Sequence, residues 1–130
     1  MILRALSLSL LAIPAVAQDV AVPSGQPVSL FEVIPEERPE MGETWVRFRF
    51  LAPGIARGPE AMSFEETEAD MLYLCENVAL PAILADDRNF DLVFISLSDR
   101  EVALGTADPE ATQFFEGYRP EAATCILEEF

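Results

Sequence analysis

The side chains that could do chemistry in this chain are carboxylates, arginines, tyrosines and hydroxyls, because it contains neither histidine nor lysine. Without histidine, the usual Ser–His and Cys–His nucleophile pairs and imidazole metal ligation are closed to it. Without lysine there is no Schiff-base amine and no phosphate-loop cation. The two cysteines, Cys75 and Cys125, lack C-x-x-C spacing and have no neighbour that would depress a thiol pKa. They read as one structural disulfide rather than a redox pair. With 23 Asp and Glu residues some carboxylates must lie close by chance, so no pair stands out as a glycosidase-like acid and base. A small carboxylate-dependent hydrolase therefore stays an alternative without nominated residues.

Two further groupings carry a chemical suggestion. Asp87-Arg88-Asn89-Phe90-Asp91 opens like a calcium loop. However, Leu92 stands where the loop needs glycine and Ser98 where it needs a bidentate glutamate. A helix-to-strand turn is the expectation there. Trp45, Arg47 and Arg49 alternate along a strand-like run and share one face of it. They are the candidate interaction patch, suited to an anionic or aromatic group or a protein edge through stacking and bidentate contacts. The competing reading pairs these arginines with cross-strand acids such as Glu32. No catalytic, cofactor-binding or metal-binding residues are expected, and no cofactor.

The element that must organise these residues runs from Ser63 to about Leu84. Ser63 and Glu66 form a capping box, and Glu65, Glu66 and Glu68 favour the positive end of the helix dipole. Phe64, Met71, Leu74, Cys75, Val78 and Ala79 recur with helical spacing and define the buried stripe, leaving Glu66, Asp70, Tyr73 and Glu76 largely elsewhere. Pro81 predicts a kink, or a restart with the proline in a new first turn. Val28–Ile34 and Thr44–Leu51 read as strands, the second with Val46, Phe48 and Phe50 on its core face. Asp91–Asp99 is the most apolar strand and is placed centrally. Gln113–Arg119 and Thr124–Glu128 predict a terminal hairpin, in preference to a short helix over Pro109–Glu116. Residues 18–27 read as a loose lead.

Arg4, the apolar run Ala5–Pro14 and the Ala15-Val16-Ala17 site make residues 1–17 a cleavable secretory signal. Residues 18–130 are then a single small α+β domain in the periplasm or outside the cell, with no integral membrane segment after cleavage. An oxidising compartment also suits the disulfide. Eight arginines face 23 carboxylates, for a formal charge of −15. Nucleic acid and anionic membrane are poor partners for such a surface. The acids are dispersed and the hydrophobic fraction is 51%, which describes a folded acidic protein rather than a disordered tail.

The blocks VPSGQPVSLFEV, RFRFLAPGIA, FEETEADMLYLCENVALP, ISLSDR, EATQFFEGYR and TCILEEF resemble a small family of exported alphaproteobacterial proteins known as a domain of unknown function. The resemblance covers nearly all of residues 18–130 and brings no functional residues with it. The fold expected is a two-layer α+β domain with the order β-β-α-β-β-β: one long helix across a mainly antiparallel sheet of about five strands. The function expected is a non-enzymatic interaction or accessory module that recognises another envelope protein. The alternatives are the hydrolase and weak divalent-cation binding by the acidic surface.

Overall fold

The computed structural model describes residues 18–129; the expected leader, residues 1–17, lies outside them. Six strands form one sheet in chain order: β1 (Gln18–Val20), β2 (Val28–Arg38), β3 (Glu43–Leu51), β4 (Leu92–Ser98), β5 (Gln113–Glu121) and β6 (Thr124–Leu127). All neighbours are antiparallel except β3 and β4. That parallel pair needs a crossover, and the helix supplies it. The architecture is α+β, a helical layer on a mostly antiparallel sheet.

The sixth strand is β1, which lies in the segment expected to be a loose lead. Three residues are too few to show an alternating pattern. A turn closed by Gly25 N–H on the Val22 carbonyl (2.9 Å), with Gly25 at φ 80°, brings them back onto β2. The other expected strands appear close to their predicted bounds. β2 runs on through Pro35 to Arg38 and carries a register shift between Leu30 and Glu32. The terminal hairpin forms as β5 and β6. Asp108 does cap a turn, accepting from Glu110 N–H at 3.0 Å, but the chain turns to strand at Gln113 instead of continuing as helix.

The crossover starts as α1 (Phe64–Leu74) with both capping-box bonds made: Glu66 N–H to Ser63 Oγ (3.2 Å) and Ser63 N–H to Glu66 Oε2 (3.0 Å). A single π turn over Cys75–Ala79 follows, closed by Leu80 N–H on the Cys75 carbonyl, and leads into α2 (Leu80–Leu84). Pro81 thus falls in the first turn of the α segment that follows the π turn. Met71, Leu74, Cys75, Ala79 and Leu80 pack in one buried cluster with Val46, Phe48 and Phe50 of β3 and Val93, Ile95 and Leu97 of β4. Cys75 is bonded to Cys125, which ties the π turn to β6.

One helical residue departs from the expected stripe. Asp70 is wholly buried, where the periodicity placed it largely off the core face. Its carboxylate accepts from Ser24 N–H (2.9 Å), Ser24 Oγ (2.5 Å) and Gln26 Nε2 (2.8 Å). The β1–β2 turn covers this side of the helix and supplies those donors, so burial costs the carboxylate no hydrogen bond.

Candidate functional site

Along β3 the odd positions point away from the helix, so Trp45, Arg47 and Arg49 share the opposite face of the sheet. That face is only partly open, because the segment between β4 and β5 folds back across it. The structure brings all three residues together but leaves them in different states. Arg49 is 4% exposed and its fork is spent: Nη1 donates to Glu32 Oε1 at 2.8 Å and Nη2 to the Val102 carbonyl. It also stacks over Phe31 at the β2 register shift. The Glu32 pairing expected from the sequence therefore accounts for Arg49, together with a loop carbonyl that strand patterning could not reveal.

Arg47 is held less firmly. Its Nη2 lies 3.5 Å from Glu36 Oε2, an oxygen that sits 3.1 Å from Arg38. The guanidinium rests over the Phe94 ring at 4.8 Å, and buried Nε has no hydrogen-bond partner. Trp45 meets Phe94 edge-on with centroids 5.1 Å apart and carries Arg38 over its ring at 4.6 Å. Its indole N–H donates to Glu43 Oε1 at 3.3 Å, and the residue is half-buried.

Between this face and the 99–112 loop lies a cleft of ≈180 Å³. Arg47 and Arg49 line it, with Phe94, Ser96, Gln113, Phe115 and loop residues 103–106 completing the walls. Thr112 N–H donates to Asp99 Oδ1 (2.6 Å), Asp99 N–H to the Thr112 carbonyl (3.1 Å), and Arg57 Nη2 to the Pro109 carbonyl (2.6 Å). Burial raises the Asp99 pKa, but Arg100 and the Thr112 N–H outweigh it and hold the carboxyl below its ordinary value.

A second hollow, of ≈400 Å³, lies on the helix side, between α1 and the β5–β6 hairpin. Ala69, Leu72, Tyr118, Ile126 and Leu127 give it an apolar lining, and Glu68 and Glu116 stand in the same wall. Ile126 is 47% and Leu127 52% exposed, on a strand that ends the sheet. Neither Glu68 nor Glu116 takes part in an ion pair among the described residues. Burial, with the Glu68 charge adding to it, raises the Glu116 pKa. Burial also lifts the Tyr118 hydroxyl above its ordinary range, and the nearby glutamates push the same way. The outward N–H of Cys125 is already taken by Glu76 Oε2 at 3.1 Å, so this edge is closed to a partner strand at that point.

The sequence did not point to this groove. Leu72 interrupts the polar side of the helix, which was the available signal, but nothing local places it beside β6. Family comparison adds one finding. The chain matches a family of unknown function (DUF6497) over residues 7–130. It belongs to that family. No curated protein and no solved structure matches it.

The remaining motifs are structural. Asp91 Oδ2 accepts from Thr44 N–H at 2.8 Å and Asp86 binds Arg88, so the calcium-like stretch is a turn locking β4 to β3. Among the described residues, no group of three or more Asp, Glu or Cys side chains is placed to hold a metal ion. No described helix is long and apolar enough to cross a membrane.

Proposed function

We propose that this family member is an exported, non-enzymatic accessory module that recognises another protein of the cell envelope through the groove between α1 and β6. One observation carries the reading: exposed Leu72, Ile126 and Leu127 surround an open apolar groove with two unpaired carboxylates in its wall. Exposed apolar patches rimmed by polar groups are the usual mark of a docking surface. The charge selects the occupant, a segment that sets an arginine or lysine among apolar residues and brings the cation between Glu68 and Glu116. Export draws support from the leader-like residues 1–17, the likeness to exported alphaproteobacterial proteins, and the Cys75–Cys125 bond.

Site-directed photocrosslinking in the native envelope tests this. A crosslinker at Leu72 should capture one protein, and capture should fall when Leu127→Ser is added. A crosslinker at exposed Glu60, which does not line the groove, should not capture it. Equal capture from both positions would remove the reading.

A carboxylate-dependent hydrolase keeps one supporting observation, the raised pKa of Glu116 beside Glu68. Hydrolysis of a model glycoside or ester that is lost in both Glu68→Gln and Glu116→Gln would favour that reading over docking.

A further inference from the structure

The cleft on the other face of the sheet has a different chemistry, and its reading does not depend on the groove. Three arginines of this face, Arg38, Arg47 and Arg49, share Glu32 and Glu36 of β2, and Arg38 has a further partner in Glu40 at 3.6 Å. Glu32 belongs to Arg49 at 2.8 Å, and Glu36 stands nearer to Arg38 than to Arg47. Arg47 is therefore under-paired: its guanidinium lies over Phe94, Nη2 comes no nearer than 3.5 Å to Glu36, and, with Nε buried, the Nη edge is what it presents to the cleft. Stacking over a ring leaves the in-plane N–H groups available for a planar acceptor.

We propose that this cleft is a binding site for a small monocarboxylate that carries an apolar or aromatic group. One under-paired guanidinium matches one carboxylate, whereas a phosphate dianion would need a second free cation, and Arg49 is already committed. Ser96, Thr106 and Gln113 line the same cleft, and their side chains enter none of the described hydrogen bonds, so they supply donors and acceptors beside the carboxylate. Phe94 forms the apolar floor, and Leu104 and Phe115, 49% and 62% exposed, stand at the rim to cover an apolar tail. A volume of ≈180 Å³ is small beside the roughly 300–1,000 Å³ of drug-sized sites, which points to a ligand of about ten heavy atoms rather than a nucleotide or peptide. The long-range field of this acidic chain opposes an anion, but screening over about 10 Å at 0.1 M salt leaves the local guanidinium in control.

The test is an amide-resolved NMR titration of the folded, disulfide-bonded protein with benzoate, with benzamide and inorganic phosphate as parallel probes. Benzoate should give saturable shifts at Ser96, Leu104 and Gln113, with a dissociation constant of about 1 mM or tighter. Benzamide should bind at least about tenfold more weakly, because it lacks the charge. Arg47→Met should abolish the benzoate shifts; should that variant misfold, Gln113→Leu and Leu104→Ser should each weaken binding without loss of fold. Equal binding of benzamide, stronger binding of phosphate at these residues, or no saturation by about 20 mM benzoate would overturn the assignment.

Discussion

Asp70, Arg49 and Glu116 show how far a side chain's role depends on what reaches it. Asp70 accepts three hydrogen bonds from Ser24 and Gln26 while fully buried, and none of those donors is cationic. Asp70→Ala strands all three, and each orphaned donor carries a desolvation cost. The expected loss is about 3 kcal/mol in urea unfolding, and Asp70→Asn should recover only part of it, because Ser24 N–H uses Oδ1 while Ser24 Oγ and Gln26 Nε2 use Oδ2, and an amide has one oxygen. Glu116 behaves in the opposite sense. Its folded pKa lies above its ordinary value, so the folded state holds the proton more tightly than the unfolded chain. That contribution is complete at low pH and disappears as pH rises through the folded pKa. Glu116→Gln should therefore raise the melting temperature near neutrality, and the difference should close below about pH 4.

Among the elements, the 99–112 loop is the one whose position decides a site. It is fastened at both ends and in the middle, by Asp99 with Thr112, by Arg57 with Pro109, and by Arg49 with Val102. Arg49→Met leaves the buried Val102 carbonyl unpaired, at about 1–3 kcal/mol, and should raise hydrogen exchange in residues 100–112 more than elsewhere. Asp99 adds a pH dependence of defined sign. Its folded pKa is depressed, so its stabilisation is present above the unfolded value and is lost as pH falls through the folded one. Acid should accordingly speed exchange or proteolysis in this loop, and Asp99→Asn should flatten the profile.

On the scale of the whole molecule, the disulfide joins the two parts that frame the groove, the helical crossover and the terminal strand. It closes a loop of 50 residues, which constrains the unfolded chain by about 4 kcal/mol. For a domain of this size that is a large part of the net stability. Cys75→Ser with Cys125→Ser, or reduction of the native protein, should lower the denaturation midpoint by a corresponding amount. The groove should loosen with it, because β6 is an edge strand of four residues held by β5, Glu76 and this bond. If the cysteine-free protein kept its midpoint, β6 would be secured by packing alone.

The sequence by itself determined whatever rests on neighbours in the chain. The Ser63–Glu66 cap, the alternation of Val46, Phe48 and Phe50, and the terminal hairpin all depend on residues a few positions apart. It also determined the excluded chemistries, because absent histidine and lysine cannot be supplied by folding. Tertiary structure decided the rest. Gln18–Val20 is a strand only because β2 lies beside it, and Asp70 is a core residue only because Ser24 and Gln26 arrive from 46 and 44 positions away. The patch of Trp45, Arg47 and Arg49 was legible as a shared face, but its division into a spent Arg49 and an under-paired Arg47 was not. That division is set by Val102, by the competition between Arg38 and Arg47 for Glu36, and by the fold of the loop above them. The groove was the least legible feature, since Glu68 and Glu116 repel one another and only the packing of α1 against β5 sets both carboxylates in one apolar wall.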